Sequence, residues 1–251
     1  MNKTSLEIAF NSYFHNKQSF QDFLNINISD EYTQIFHSKN TFSPSKKLKK
    51  FQQFLNLFIF DHLHINKDVV FSYRKGVSTI DAIIPHKNNK FIYTTDIESF
   101  FTQIEVKEIK QLILENKSNY IIDSEDVEKY IDNILNIVTF AEILPIGAPT
   151  SPKISNAYLL KLDNSLQDYC QDNEITFSRY SDDFIFSSNS KENLIDLNEV
   201  IESLLKKLDY FNLKLNSKKT KLQRQGSNIK LLGLIITPQG HITVNKKIKN
   251  D

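Results

Sequence analysis

One run, Phe177-Ser178-Arg179-Tyr180-Ser181-Asp182-Asp183-Phe184-Ile185-Phe186-Ser187, constrains this chain more than any other stretch. Two short segments rich in Phe, Ile and Tyr flank the adjacent acids Asp182 and Asp183. Segments of that composition form strands, and a tight hairpin between them lifts both acids onto its tip. Two neighbouring carboxylates repel unless a cation lies between them, and a hard divalent ion with oxygen ligands, most simply Mg²⁺, meets that need. A polar turn without function is the plainer reading, because Ser and Asp are ordinary turn residues. The segments upstream decide between the two.

A chain of 251 residues can bury a sizeable core, and 40% hydrophobic with 24% charged residues is a globular composition. The net charge of +1 gives no global field for a polyanion, although lysines gather at Lys46, Lys47, Lys49 and Lys50 and again from Lys214 through Lys221. Such clusters either neutralise phosphates or form a solvated face. The single cysteine, Cys170, excludes an internal disulfide and fits a reducing, cytoplasmic setting. No run of membrane length occurs, so a soluble protein without a membrane partner is expected.

Taken in order, helical spacing is expected from Ser5 to Phe14, followed by a polar, irregular stretch to about Ser45. Leu48, Phe51, Phe54, Leu55, Phe58 and Ile59 then mark an amphipathic helix with the lysines outside. His62 and His64 are poor evidence for zinc without a further His or Cys nearby. Phe71-Ser72-Tyr73-Arg74-Lys75-Gly76 is a basic segment closed by a turn glycine, and Ile80 to Ile84 is an apolar run. Lys90 to Asp96 reads as a strand that delivers Asp96 at its end. Helices are expected from about Val106 to Leu114 and from Val127 to Phe140.

Leu144-Pro145-Ile146-Gly147-Ala148-Pro149-Thr150-Ser151-Pro152 holds three of the six prolines, which excludes a helix or an internal strand and predicts a stiff loop. Ser151 is placed to cap a helix starting at Pro152 and running through Asn156, Leu159, Leu162 and Leu166. Beyond the acidic hairpin come a helix from Leu194 to Leu208 and a strand from Phe211 to Asn216. A last hairpin pairs Leu231–Ile236 with His241–Val244 across Pro238-Gln239-Gly240.

These parts resemble a reverse transcriptase. Asp96-Ile97-Glu98-Ser99-Phe100-Phe101 is similar to the family's first catalytic motif, and the Pro/Gly loop with Ser155-Asn156 to its template- and nucleotide-supporting motif. Tyr180-Ser181-Asp182-Asp183 resembles the catalytic hairpin. Asn216-Ser217-Lys218-Lys219-Thr220 is similar to the motif that supplies a lysine near pyrophosphate, and Leu231-Leu232-Gly233-Leu234 to the primer grip. Order and spacing agree over roughly residues 44–245, with the nearest likeness to bacterial retron and defence-associated enzymes.

The resemblance implies an α+β right-hand polymerase fold: an N-terminal helix and fingers over 1–95, and a palm over 96–245 with fingers interleaved around 106–143. Residues 246–251 would begin a missing or very short thumb; either a protein partner, which could also bring an effector function, supplies that part, or the duplex is held differently. Two Mg²⁺ ions, or Mn²⁺, would be held by Asp96, the Ile97 backbone carbonyl, Asp182 and Asp183, with Lys219 as the acid toward pyrophosphate. Phe101, Ile146, Gly147, Arg74 and Lys75 would meet the nucleotide; Pro149, Ser151, Asn156, Tyr180, Leu232 and Gly233 would meet template and primer. RNA would be the template and DNA the product, in an anti-phage system.

The sequence departs from the family at Ile146, where many relatives carry Gln, and before Pro44, where a Lys/Arg pair for the triphosphate is lacking. His37, Lys39, Arg74 and Lys75 are the nearest substitutes. Asp81-Ala82-Ile83-Ile84-Pro85-His86 only approximates the retron Asn-Ala-x-x-His element, and Leu231-Leu232-Gly233 replaces Val-Thr-Gly. Two alternatives stay open: protein-primed or untemplated nucleotide addition on the same fold, and a non-catalytic RNA-binding scaffold.

Overall fold

The apolar spacing from Leu48 to Leu55 folds as the helix Lys46–Phe58, which buries Leu48, Phe51, Phe54 and Leu55 and turns its lysines outward. Ser45 caps it by accepting a hydrogen bond from the Leu48 amide at 3.1 Å. The computed structural model describes residues 3–35 and 41–244. His37, Lys39 and the proposed thumb start at 246–251 lie outside the described residues. The chain divides into two compact units, Met1–His64 with Phe101–Tyr158, and Ile65–Phe100 with Leu159–Asp251.

The first unit is built around phenylalanine. Phe10, on the helix Leu6–Tyr13, is fully buried, with its ring centroid 5.1 Å from Phe23, 5.4 Å from Phe54 and 5.6 Å from Phe51. Such tilted pairs add about 0.5–1.5 kcal/mol each beyond the area they bury. The stretch before Ser45 is more ordered than its polarity suggests. It holds the Ser19-capped helix Phe20–Leu24 and a two-stranded sheet of β1 (Tyr32–Gln34) and β2 (Phe42–Pro44). Elements of three to five residues are too short to show a period. The helix expected from Val127 to Phe140 is instead Ser124–Lys129 and Ile131–Val138, interrupted at Tyr130.

The second unit carries a four-stranded antiparallel sheet in the order β4-β5-β3-β6, with β3 Phe91–Asp96, β4 Thr176–Tyr180, β5 Asp183–Ser188 and β6 Lys221–Arg224. Strand β5 is covered on both faces, with Phe184, Ile185, Phe186 and Ser187 all buried. Strand β6 is the opposite case. It is outermost, pairs with β3 alone among the described strands, and exposes Lys221, Leu222 and Arg224.

Behind the sheet run the helices Leu160–Asp172 and Leu197–Lys207. A single helix from Pro152 to Leu166 does not form: Ser151–Tyr158 belongs to the first unit and Leu160–Asp172 to the second, with Leu159 between them. Ser151 is the first helical residue rather than a cap, because its hydroxyl donates back to the Pro145 carbonyl at 2.6 Å. The strand expected from Phe211 to Asn216 reduces to one bridge, Leu215 to Ile97, and Phe211 is exposed.

A third sheet, β7 (Ile229–Leu231), β8 (Leu234–Ile236) and β9 (Ile242–Val244), includes the expected last hairpin as its β8–β9 pair. Ile229, Leu231 and Ile236 share a core with Ile83, Ile92 and Ile185. Among the described residues no helix is long and apolar enough to cross a membrane.

Candidate active site

Strands β3 and β5 pair in a register that sets Asp96 directly opposite Asp183. Opposite residues in an antiparallel pair project from the same face with Cβ atoms roughly 5 Å apart, so two like charges meet there. The hairpin β4–β5 closes through two residues, Ser181 and Asp182, because Tyr180 pairs with Asp183. The acids are therefore not both on the tip: Asp182 rides the turn and Asp183 opens the strand. Ser181 has φ 59°, the positive value that the first central residue of a type II′ turn requires. A non-glycine residue there costs about 1–3 kcal/mol, a cost typical of functional sites. The Ile97 amide donates to the Asp182 carbonyl at 3.3 Å, which seats the end of β3 against the turn.

Electrostatics agree with this crowding. The Asp183 carboxyl is pushed up to about 6, first by burial, then by the charges of Asp182 and Asp96, with Lys219 pulling it down. Asp96 is only 2% exposed, and its Oδ1 is buried with no hydrogen-bond partner. Its Oδ2 accepts a charged hydrogen bond from Lys219 Nζ at 2.5 Å, and this contact is the main cause of the upward shift of the Lys219 ammonium.

The lysine arrives there because its turn is tied to β3. The Asn216 amide donates to the Asp96 carbonyl at 2.9 Å, and the amides of Lys219 and Thr220 donate to the Asn216 carbonyl. The Thr220 and Thr95 hydroxyls bond each other at 2.8 Å.

Tyr180, Leu232 and Gly233 also lie in this second unit. Leu232 (φ 49°) and Gly233 (φ 81°) form the two-residue loop between β7 and β8, with both values positive as a type I′ turn demands. Arg74 is partly committed already, donating to the carbonyls of Lys67 (2.7 Å) and Val70 (2.5 Å), while Lys75 is exposed.

The remaining expected site residues, Phe101, Ile146, Gly147, Pro149, Ser151 and Asn156, lie in the first unit. Phe101 sits in the short helix Phe100–Gln103 and is half-buried. Ile146 is bridged to Thr41, and its carbonyl accepts from the Phe42 amide at 2.8 Å. Gly147 has φ 107°, and any Cβ there would overlap the Phe42 carbonyl oxygen. The Pro149 carbonyl accepts from the Asn56 side chain at 2.9 Å, and Ser151 and Asn156 are buried.

Sequence reading missed an ion pair beside the hairpin, and it met His86 only as the end of the Asp81–His86 element. Arg179 and Asp163 form a fully buried, bidentate ion pair with both contacts at 2.6 Å, and Arg179 Nη1 also donates to the Ser181 carbonyl at 2.7 Å. His86, fully buried, lies between the Ser187 and Ser178 hydroxyls at 2.7 and 2.8 Å, and burial pushes its pKa down to about 3. Signals existed for both members of the ion pair. Arg179 is a charge inside a strand of buried residues, and Asp163 falls four residues after Leu159 on an apolar helix face.

Residues 17–236 match the family model "Reverse transcriptase (RNA-dependent DNA polymerase)". The chain is similar to the Retron Ec86 reverse transcriptase of Escherichia coli, 28% identical over 202 residues, covering 80% of this chain and 59% of that protein. It is similar to the Retron Ec83 reverse transcriptase of Escherichia coli at 24% over 215 residues, covering 82% of this chain and 66% of that protein. The Retron Mx162 reverse transcriptase of Myxococcus xanthus is 23% identical over 239 residues, covering 85% and 48%. The chain thus spans about half to two-thirds of the length of these curated relatives. Among solved structures, apo telomerase from Candida tropicalis shares the fold with a TM-score of 0.53 at 12% identity, over 93% of this chain and 45% of that one. With the family model spanning most of the sequence, the chain belongs to the reverse transcriptase family.

Proposed function

We propose that this chain synthesises DNA from deoxynucleoside triphosphates on an RNA template, in a retron-like setting that serves anti-phage defence. One observation carries the reading: Asp96 and Asp183 face each other in register, Asp182 lies on the adjoining turn, and Lys219 reaches Asp96. Among the described residues no group of three or more His, Cys, Asp or Glu side chains stands as a ready metal site. The residues nevertheless fit a divalent cation, because Asp96 leaves a buried oxygen unpartnered and crowding by negative charge raises Asp183. Asp96, the Ile97 carbonyl, Asp182 and Asp183 would hold Mg²⁺ or Mn²⁺, with two ions the expected number. Bound there, the ions supply Lewis-acid activation of a primer hydroxyl and charge neutralisation of the triphosphate.

The chain's own residues do the rest. Lys219 holds a proton at Nζ beside the acids, positioned to give it to departing pyrophosphate. Phe101 is the gate against a ribose 2′-hydroxyl; Ile146 and Gly147 line the nucleotide, with Arg74 and Lys75 toward its phosphates. Pro149, Ser151, Asn156, Tyr180, Leu232 and Gly233 support template and primer. Fingers over 1–95 and around 106–143, and a palm over the rest of 96–245, follow from the same reading. A protein partner with an effector function belongs to the same reading.

The test is primer extension by the purified protein with Mg²⁺, dNTPs and RNA. Asp182→Ala with Asp183→Ala is expected to abolish DNA product, and product that survives both substitutions overturns the assignment. Sequencing the product separates copying of RNA from untemplated tailing. Phe101→Ala is expected to admit ribonucleotides.

A further inference from the structure

The turn that carries Asp182 is held from two sides by side chains that no catalytic role has yet absorbed. On the inner side, Arg179 is fully buried and locked by Asp163, and it donates to the Ser181 carbonyl at 2.7 Å. On the outer side, the Tyr73 phenol and the Ser181 hydroxyl share a hydrogen bond at 3.0 Å. Both partners of that second contact have left-handed backbones, Tyr73 at φ 55° and Ser181 at φ 59°. Neither is glycine, so each conformation persists only because its surroundings hold it.

The segment bearing Tyr73 is not a loose loop. Its backbone adds to the free edge of β4: the Phe71 amide donates to the Arg179 carbonyl at 2.9 Å, and the Arg179 amide donates to the Val69 carbonyl at 2.7 Å. Val70 and Arg179 form a parallel bridge at that edge. The basic run Tyr73-Arg74-Lys75 and the Asp182 turn are thus joined by backbone and side chain alike. The two clamps differ in kind. Arg179 sits where water does not reach, whereas Tyr73 is 40% exposed and its hydrogen bond to Ser181 is only partly buried.

We propose that Tyr73 and Arg179 are positioning residues for Asp182, with Arg179 the permanent anchor of the turn and Tyr73–Ser181 a reversible latch. Closing the latch brings the Ser181 peptide to the geometry that presents Asp182 beside Asp96 and Asp183. Opening it lets the turn relax without unfolding the sheet. The kinetic consequence rests on the polymerase reading, whereas the mechanical one does not.

Tyr73→Phe removes a single oxygen from a half-exposed ring, and it is expected to leave the fold intact. Ser181→Ala removes the other half of the latch. Each substitution is expected to lower kcat for primer extension about five- to tenfold, the worth of one hydrogen bond, while KM for dNTP stays within about twofold. The double variant is expected to lose no more than either single one. A residue that merely supports the fold would lower the active fraction and leave kcat per folded molecule unchanged.

Hydrogen exchange supplies a readout without activity. The amides of Ser181, Asp182 and Asp183 are expected to exchange about five- to tenfold faster in Tyr73→Phe, with β3 protection unchanged. Exchange at the turn that does not change, or singles whose losses multiply in the double variant, overturns the latch. Wild-type protein that makes no DNA sinks the polymerase reading instead, and the exchange comparison then decides the latch alone.

Discussion

The two units keep different company in their interiors. In the first, Phe10, Phe23, Phe51 and Phe54 pack ring against ring, and the buried polar side chains are neutral ones such as Gln52, Thr139 and Asn156. In the second, Asp96, Asp163, Arg179 and His86 are all buried beside the sheet. Apolar packing stabilises in proportion to area and tolerates change of detail. A buried charge stabilises nothing by itself and becomes costly once its partner is lost. The contrast separates a unit assembled for stability from one whose stability is traded against placement of acids.

The sharpest way to break this comparison is to strand a charge. Asp163→Ala leaves the Arg179 guanidinium buried without its carboxylate, and denaturant unfolding should register a loss of about 3–5 kcal/mol. Replacing both partners, Asp163→Leu with Arg179→Met, should recover most of that stability yet leave primer extension impaired. Full recovery of both would show that the pair has no positional role. In the aromatic nest, Phe10→Leu should cost about 2–3 kcal/mol in the same measurement, because it removes ring contacts without stranding a charge, and leave kcat unchanged.

Titration sharpens the contrast further. Because Asp183 is raised from 3.8 to about 6, the folded state binds its proton more tightly than the unfolded chain does. Stability from this group is full below pH 4 and is lost as pH rises toward 6. Asp183→Asn should flatten that slope in unfolding curves taken between pH 4 and 7. His86 acts in the opposite sense. Held neutral down to about pH 3, it contributes stability that declines as pH falls below its unfolded value of 6.5. His86→Asn should remove that dependence, and an unchanged curve would mean that His86 is not the titrating group.

What could be read in advance follows the range of the physics involved. The hairpin around Asp183 and the strand ending in Asp96 are local patterns of β-formers, and the Phe10 and Phe54 helices announce themselves by period. Pairing across sequence distance is another matter. Nothing near Tyr73 indicates that its phenol meets Ser181, 108 residues away. The Asp163–Arg179 pair spans only 16 residues, yet it joins a helix to a strand, and local spacing marks each residue as buried without indicating that the two meet. Strands of three residues such as β1 and β2, and the break at Leu159, depend on tertiary contacts that override local preference.

The outer margin of β6 has a consequence for how copies of this protein meet. Among the described residues no strand pairs with that margin, and such an edge is a template onto which an identical edge can zip. Here an approaching copy would bring Lys221 and Arg224 against their own counterparts, and that repulsion keeps the margins apart. Repulsion of this kind is only as strong as the solvent allows. At about 1 M salt its reach shrinks to roughly 3 Å, so concentrated brine should turn this border from self-avoiding to adhesive.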